Sequence, residues 1–466
     1  MKYVSTRGQA PVLDFEDTLL AGLAADGGLY VPDSWPQLSA QTIAGFKNRP
    51  YAEVAFEVLR PFIGGTPDDA RFKEIVTQAY SGFDHDEIAP LVHLGGRDYL
   101  LELFHGPTLA FKDIAMQLLA RLLDEALTRR GRRATIVGAT SGDTGGAAIE
   151  AFRGRDAIDI FILYPDGRVS DVQRKQMTTP ADKNVHAVAI DGTFDDCQAL
   201  VKAMFNDMDF RHEVGLAGVN SINWARVMAQ TVYYFTAAAS LGAPEQKVGF
   251  SVPTGNFGDI FAGYVAAQMG LPIAELMIAT NVNDILARVL ATGTYEIGDV
   301  VATSSPSMDI QVSSNFERLL FEATGRDAAR VCEMMAALSD DRKFTLDDRA
   351  LETIRAQFAA ARIDENATAE IIREFLGEKQ MLIDPHTAVG IGAARSSQLA
   401  ADIPVVTLAT AHPAKFPASV EKACGQTANA PQRVKDMMQQ PERHTDLPND
   451  LAGLQGFIRN HGHATA

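Results

Sequence analysis

The chain is short of cysteine: only Cys197, Cys332 and Cys424 occur in 466 residues, at no metal-ligand or redox spacing. That excludes a disulfide scaffold and fits buried thiols in a reducing cytoplasm. Long apolar runs are also missing. No stretch reaches eighteen uncharged apolar residues, and the longest candidate, VMAQTVYYFTAAASLGA, carries Gln230 and follows Arg226, so it reads as a buried helix. The amino-terminal MKYVSTRGQAP lacks the apolar segment of a secretory signal. Positive charge is scarce, with a net charge of −17, which argues against a nucleic-acid partner. Any anionic ligand must be met by a local exception built from a few cations and helix N-termini. There is no proline or glycine excess, no low-complexity block and no solenoid repeat. A composition of 46% hydrophobic and 22% charged residues is that of a globular chain, long enough for two or three packed units. The expectation is a cytoplasmic protein, monomer or homodimer, with no membrane partner.

Residues 1–95 are mostly helical in pattern (FEDTLLAGLAA, PYAEVAFEVLRPFIG, DARFKEIVTQAYSGF), with GGLYVP as a turn into a short extended piece. The rhythm then changes. ATIVGAT, IDIFILYP and NVHAVAID are short β-branched or apolar runs that alternate with helical segments, and Ser170 and Gln173 sit at capping-box spacing. The alternation resumes at KVGFSVPT, IAELMIATN and IPVVTLAT. Near-continuous apolar strands alternating with helices predict parallel sheets covered on both faces. The charged, helical stretch at about 315–400 reads as an insertion or a peripheral layer. Three units are expected: a mainly helical one over 1–95 and two α/β units over 96–240 and 241–466.

In open parallel sheets ligands bind beyond the carboxyl ends of the strands, and two glycine-rich loops occupy that place here. PTGNFGD follows VGFSV and opens a helix. Its glycines let several N–H groups converge where the helix N-terminus adds positive potential, which makes an anion cradle. It is neither a P-loop nor a dinucleotide fingerprint. SGDTGG follows ATIVGAT and adds hydroxyl donors; read more plainly, Ser141 or Asp143 is an N-cap. In HGPTLAFKD, Lys112 comes directly after Leu109, Ala110 and Phe111, just before an amphipathic helix. A lysine there is ordinarily solvated. A lysine that loses its water instead becomes a nucleophile able to form a Schiff base. Pyridoxal phosphate has an aldehyde for that amine, a phosphate for one cradle and an amino-acid substrate for the other.

The motifs YVSTRG, GLAADGGLYVP, LELFHGPTLAFKD, GATSGDTGGAA, NSINWAR, PTGNFGD and TAHPAKFP occur in that order along nearly the whole chain. With them the sequence resembles the threonine synthase family of the longer bacterial and fungal type, within the fold-type II pyridoxal-phosphate enzymes. The resemblance implies an α/β fold like that of tryptophan synthase β: two open, mostly parallel sheets with helices on both faces, plus a helical amino-terminal domain. It implies Lys112 as the catalytic Schiff-base lysine. Gly255, Asn256, Phe257 and Gly258, with Asp259 beside them, would hold the cofactor phosphate. Thr410 would place its hydroxyl by the pyridine nitrogen. Asp143 stands where relatives often carry an asparagine facing the ring hydroxyl. Ser141, Gly142 and Thr144 would bind the substrate α-carboxylate. The reaction implied is conversion of O-phospho-L-homoserine and water to L-threonine and phosphate, the last step of threonine biosynthesis. It requires a second phosphate site, for which Arg226 is first choice, with Asn223 and Lys415 behind it. His105 would brace the Lys112 loop and His412 would border the pyridine end. No metal is expected. The alternatives are another fold-type II lyase, a hydroxy-amino-acid dehydratase or a cysteine-synthase-like enzyme, and a catalytically silent binding relative.

Overall fold

Two β-sheets carry the molecule, and their membership follows the alternation of strands and helices read above. The computed structural model describes residues 1–140 and 142–463. One sheet has five parallel strands in the order Thr445–Leu447, Val185–Ile190, Ile158–Pro165, Ala134–Ala139 and Leu216–Ala217. The central IDIFILYP strand is buried at every residue, so it is apolar on both faces rather than alternating. The other sheet has six strands in the order Phe358–Arg362, Ile273–Thr280, Val248–Pro253, Val405–Ala409, Asp98–Glu102 and Leu91–Gly95. Only the last pair, a hairpin turned at Gly95 and Gly96, is antiparallel.

The sheets do not respect the cut points at 95 and 240. Leu91–Gly95 and Asp98–Glu102 pair with each other and join the six-stranded sheet through Val405–Ala409, more than three hundred residues downstream. Thr445–Leu447 crosses back to edge the five-stranded sheet. Long-range strand pairing of this kind leaves no mark on local composition. The segment at 315–400 is also more than a peripheral layer. Phe358–Arg362 extends the six-stranded sheet, and helix Pro385–Ala394 packs on its strands with nine of its residues buried.

The amino-terminal unit pairs Tyr3–Ser5 with Tyr30–Pro32 and adds helices Phe15–Ala21, Tyr51–Ile63 and Asp69–Tyr80. It shares the main core: the Tyr3 and Phe62 rings lie 6.1 and 5.7 Å from Trp224. Trp224 opens helix Trp224–Ser240, which contacts helices Lys112–Arg129, Gly258–Gln268 and Tyr51–Ile63. Apolar on nearly every side, that helix is the pillar between the layers. No helix among the described residues is long and apolar enough to cross a membrane.

Candidate active site

A cavity of about 980 Å³ opens where the carboxyl ends of both sheets meet. Thr140, Asp143 and Thr144 reach it from the end of Ala134–Ala139, Gly255–Asp259 from the end of Val248–Pro253, and Thr410 from the end of Val405–Ala409. Lys112 and Arg226 enter from the first turns of their helices.

Lys112 is the first residue of helix Lys112–Arg129 and is only 9% exposed. The loop before it is stitched down on both sides. The N–H of Phe111 donates to the Thr410 carbonyl at 2.9 Å, and that of His412 to the Leu109 carbonyl at 3.1 Å. The Asp113 carboxylate accepts from the Thr108 N–H (2.8 Å) and Oγ1 (2.7 Å), which closes the turn from within. Lys112 Nζ therefore sits 4.8 Å from the centre of the Phe111 ring and 3.5 Å from Asp143 Oδ2. Burial pushes the ammonium below the ordinary lysine range; Asp143 opposes this, while Lys415 and Arg226 reinforce it. The apolar run LAF before the lysine has the consequence expected of it.

Asp143 is not an N-cap. Gly142 is the N-cap of helix Asp143–Phe152, and Thr140 Oγ1 accepts from the N–H groups of Gly142 and Gly145. The Asp143 carboxylate faces Lys415 at 2.8 Å, Gln173 Nε2 at 3.0 Å and Ser307 Oγ at 3.3 Å, besides Lys112. Burial alone would raise its proton affinity, but Lys415 and Lys112 together with these hydrogen bonds hold it far below the usual carboxylate range.

The second loop is built to leave N–H groups free. Phe257 adopts a left-handed φ of 64°, and a Cβ at Gly255 would stand 2.5 Å from the Ser307 carbonyl oxygen. Ser313 Oγ donates to the Gly255 carbonyl, and the main-chain and side-chain N–H groups of Asn315 donate to the Asn256 carbonyl. With the carbonyls tied back, the amides of Gly255, Asn256, Phe257 and Gly258 have no protein acceptor among the described residues. Four such donors at the start of an eleven-residue helix suit a phosphate group, and the desolvated amine across the cavity suits an aldehyde.

Arg226 is 5% exposed and makes no ion pair among the described residues; its Nε is buried without a hydrogen-bond partner. Burial pushes its guanidinium down to about 10. Such an arrangement is unfavourable unless an anion arrives.

Other expected residues are differently employed. Asn223 is buried, with its Nδ2 on the Leu19 carbonyl and its Oδ1 capping the Ala225 N–H, and it is not among the residues lining the cavity. Gly142 lies outside the cavity wall, its N–H on Thr140. The Asp259 carboxylate accepts from the Tyr233 and Tyr234 hydroxyls instead of serving the phosphate loop. His412 borders a smaller cavity with His105 and Glu102, away from the main one. His105 does brace its loop, with Nε2 2.7 Å from Glu102. Ser141 lies outside the described residues. Lys415, expected as a second choice for the leaving phosphate, is instead fully buried against Asp143 and the Thr108 carbonyl and does not line the cavity, and sequence reasoning missed Gln173, Ser307, Ser313 and Asn315. For Lys415 a signal existed: HPAKFP sets a lysine among apolar neighbours, the same anomaly that marked Lys112.

Comparison with known proteins identifies the family. Residues 87–411 match the family described as pyridoxal-phosphate dependent enzyme, residues 2–80 the threonine synthase N terminus and residues 387–458 the threonine synthase C-terminal family. The chain is 53% identical to the threonine synthase of Pseudomonas aeruginosa over 463 residues, 99% of each protein. It is 43% identical to that of Saccharomyces cerevisiae over 462 residues, 92% of this chain and 90% of the relative. A crystal structure of a pyridoxal-phosphate-bound threonine synthase from Brucella melitensis superposes with a TM-score of 0.98 at 58% identity, covering 100% of both chains. The yeast threonine synthase structure gives 0.94 at 39% identity, over 99% of this chain and 98% of that one.

Proposed function

The chain belongs to the threonine synthase family of pyridoxal-phosphate-dependent enzymes, and from that premise we propose that its cleft converts O-phospho-L-homoserine and water to L-threonine and phosphate. Pyridoxal phosphate, when bound, supplies the electron-withdrawing ring that makes the protons of an attached amino acid removable. The remaining work falls to side chains of this protein. Lys112 would hold the cofactor by its amine and, when free, take and return protons at Cα, Cβ and Cγ of the substrate; its buried setting lowers its proton affinity below the ordinary lysine range, which favours giving back each proton it takes. The amides of Gly255, Asn256, Phe257 and Gly258 grip the cofactor phosphate. Thr410 presents its hydroxyl to the ring nitrogen, and Thr144 with the neighbouring Ser141 receives the substrate carboxylate. Arg226 binds the phosphate that leaves Cγ before water adds at Cβ.

The observation that carries this reading is the second anion site. An enzyme that only dehydrates a hydroxy amino acid needs one phosphate cradle; this cavity has one in the glycine loop and, in addition, a buried guanidinium with no carboxylate partner among the described residues. The three free thiols agree with a cytoplasmic setting. The test is to measure phosphate release and threonine formation together from phosphohomoserine, with wild type and Lys112→Ala. Equal amounts of both products from wild type and none from the variant are expected. An oxoacid in place of threonine, or full turnover by Lys112→Ala, would overturn the assignment.

A further inference from the structure

A carboxylate 3.5 Å from the amine that must shed its proton is a liability, because Asp143 favours the ammonium form of Lys112. A second lysine answers it. Lys415, wholly buried, comes from the Pro413–Lys415 turn just past Thr410 and points its Nζ at Asp143 Oδ1 (2.8 Å), the oxygen opposite the one facing Lys112. The same Nζ donates to the Thr108 carbonyl at 2.8 Å, in the loop that carries Lys112. Lys415 thus spans from the Lys112 loop to the Asp143 loop, while Gln176 donates to the same Thr108 carbonyl at 3.0 Å.

Counting charges shows what this does. Without Lys415, the pair Lys112–Asp143 is neutral only when Lys112 is protonated. With Lys415, the trio is neutral when Lys112 is uncharged. The other charged groups nearby do not undo that balance. Arg226 adds a further positive charge, Asp113 is held by Thr108, Asp259 by Tyr233 and Tyr234, and His386 on the cavity wall is paired with Asp384. We propose that Lys415 is a positioning residue for Lys112: its ammonium, clamped between the Thr108 carbonyl and Asp143, offsets the charge of that carboxylate and leaves the Lys112 nitrogen free to gain and lose a proton. The inference rests on Lys112 being the lysine that carries the cofactor.

The experiment compares wild type, Lys415→Met, Asp143→Asn and the double variant, each loaded with pyridoxal phosphate. Borohydride reduction and peptide mapping first establish that the cofactor is on Lys112; a label elsewhere defeats the underlying reading, whatever Lys415 does. The pH midpoint of the cofactor absorbance then reports the proton affinity of the Lys112 nitrogen. Lys415→Met is expected to raise it by about one pH unit or more, since Asp143 is left to Lys112 alone. Asp143→Asn is expected to lower it, and in the double variant, neutral like the wild-type trio, most of the rise disappears. An unchanged or lowered midpoint in Lys415→Met, or an equal rise in the double variant, overturns the proposal. Should Lys415→Met not fold, the double variant must fold and load cofactor; its failure to do so assigns Lys415 a packing role and also overturns the proposal.

Discussion

Arg226 is held in the fold at a disadvantage, and removing it separates stability from catalysis. Burial draws its guanidinium well below the ordinary arginine range, down to about 10, which corresponds to a penalty of about 3 kcal/mol for keeping the charge. The folded-state value is lowered for a base, so the penalty is fully present below about pH 10 and fades only as pH rises toward the ordinary arginine range. At neutral pH it acts in full. Arg226→Met keeps much of the stem's packing and discards the charge. Its urea unfolding midpoint is expected to rise, by an equivalent of up to about 3 kcal/mol less any lost packing. Over the same substitution kcat/KM for phosphohomoserine should fall about 100- to 1,000-fold, the usual effect of deleting one preorganised partner of a developing charge. With the glycine loop already filled by pyridoxal phosphate, inorganic phosphate should raise the unfolding midpoint of the wild-type holoenzyme and leave that of the variant holoenzyme where it is. A variant that is less stable, with unchanged kcat/KM and undiminished phosphate protection, would refute the reasoning and make Arg226 a structural residue.

Two further substitutions probe the remaining parts of the cleft. Gly255→Ala drives a methyl to 2.5 Å from the Ser307 carbonyl, so the phosphate loop must shift; cofactor affinity in an absorbance titration should drop at least about tenfold, with a stability loss of about 1–3 kcal/mol, and a neutral result would show that the loop is soft. Asp259, raised by burial from 3.8 to about 6 against the pull of Tyr233 and Tyr234, binds its proton more tightly in the folded state. Its contribution to stability therefore declines as pH rises from 3.8 to about 6, by roughly 3 kcal/mol, and the advantage of Asp259→Asn in urea unfolding should grow across that interval and level off above it; a difference independent of pH would contradict it.

How much of this was readable beforehand depended on whether the physics was local. Ile158–Pro165 appears with the bounds its apolar run suggested, and the Ser170–Gln173 capping box forms as spaced. Both depend on neighbours in sequence. Lys112 was legible because desolvation leaves a trace in the residues beside it. The glycine loop was legible because Gly255 and Gly258 bracket a turn opening a helix. Asn223 was not, because one side chain can cap a helix or meet a ligand, and only the fold brings the Leu19 carbonyl against it. Likewise Asp259 directly follows the phosphate loop, yet its direction is set by two tyrosines on another helix. The Asp143–Lys415 contact joins residues 272 positions apart, and no local pattern announces it.

That separation carries a consequence for synthesis on the ribosome. The hairpin that precedes Lys112 finds its parallel neighbour only in Val405–Ala409, and the opposite sheet gains its outer edge from Thr445–Leu447. A nascent chain that has exposed Lys112, the glycine loops and even Arg226 still lacks the strand and turn that bring Thr410 and Lys415 against the Lys112 loop. Capture of the vitamin-derived aldehyde by a buried amine therefore waits until residues 405–415 have been made and have packed onto the Lys112 loop.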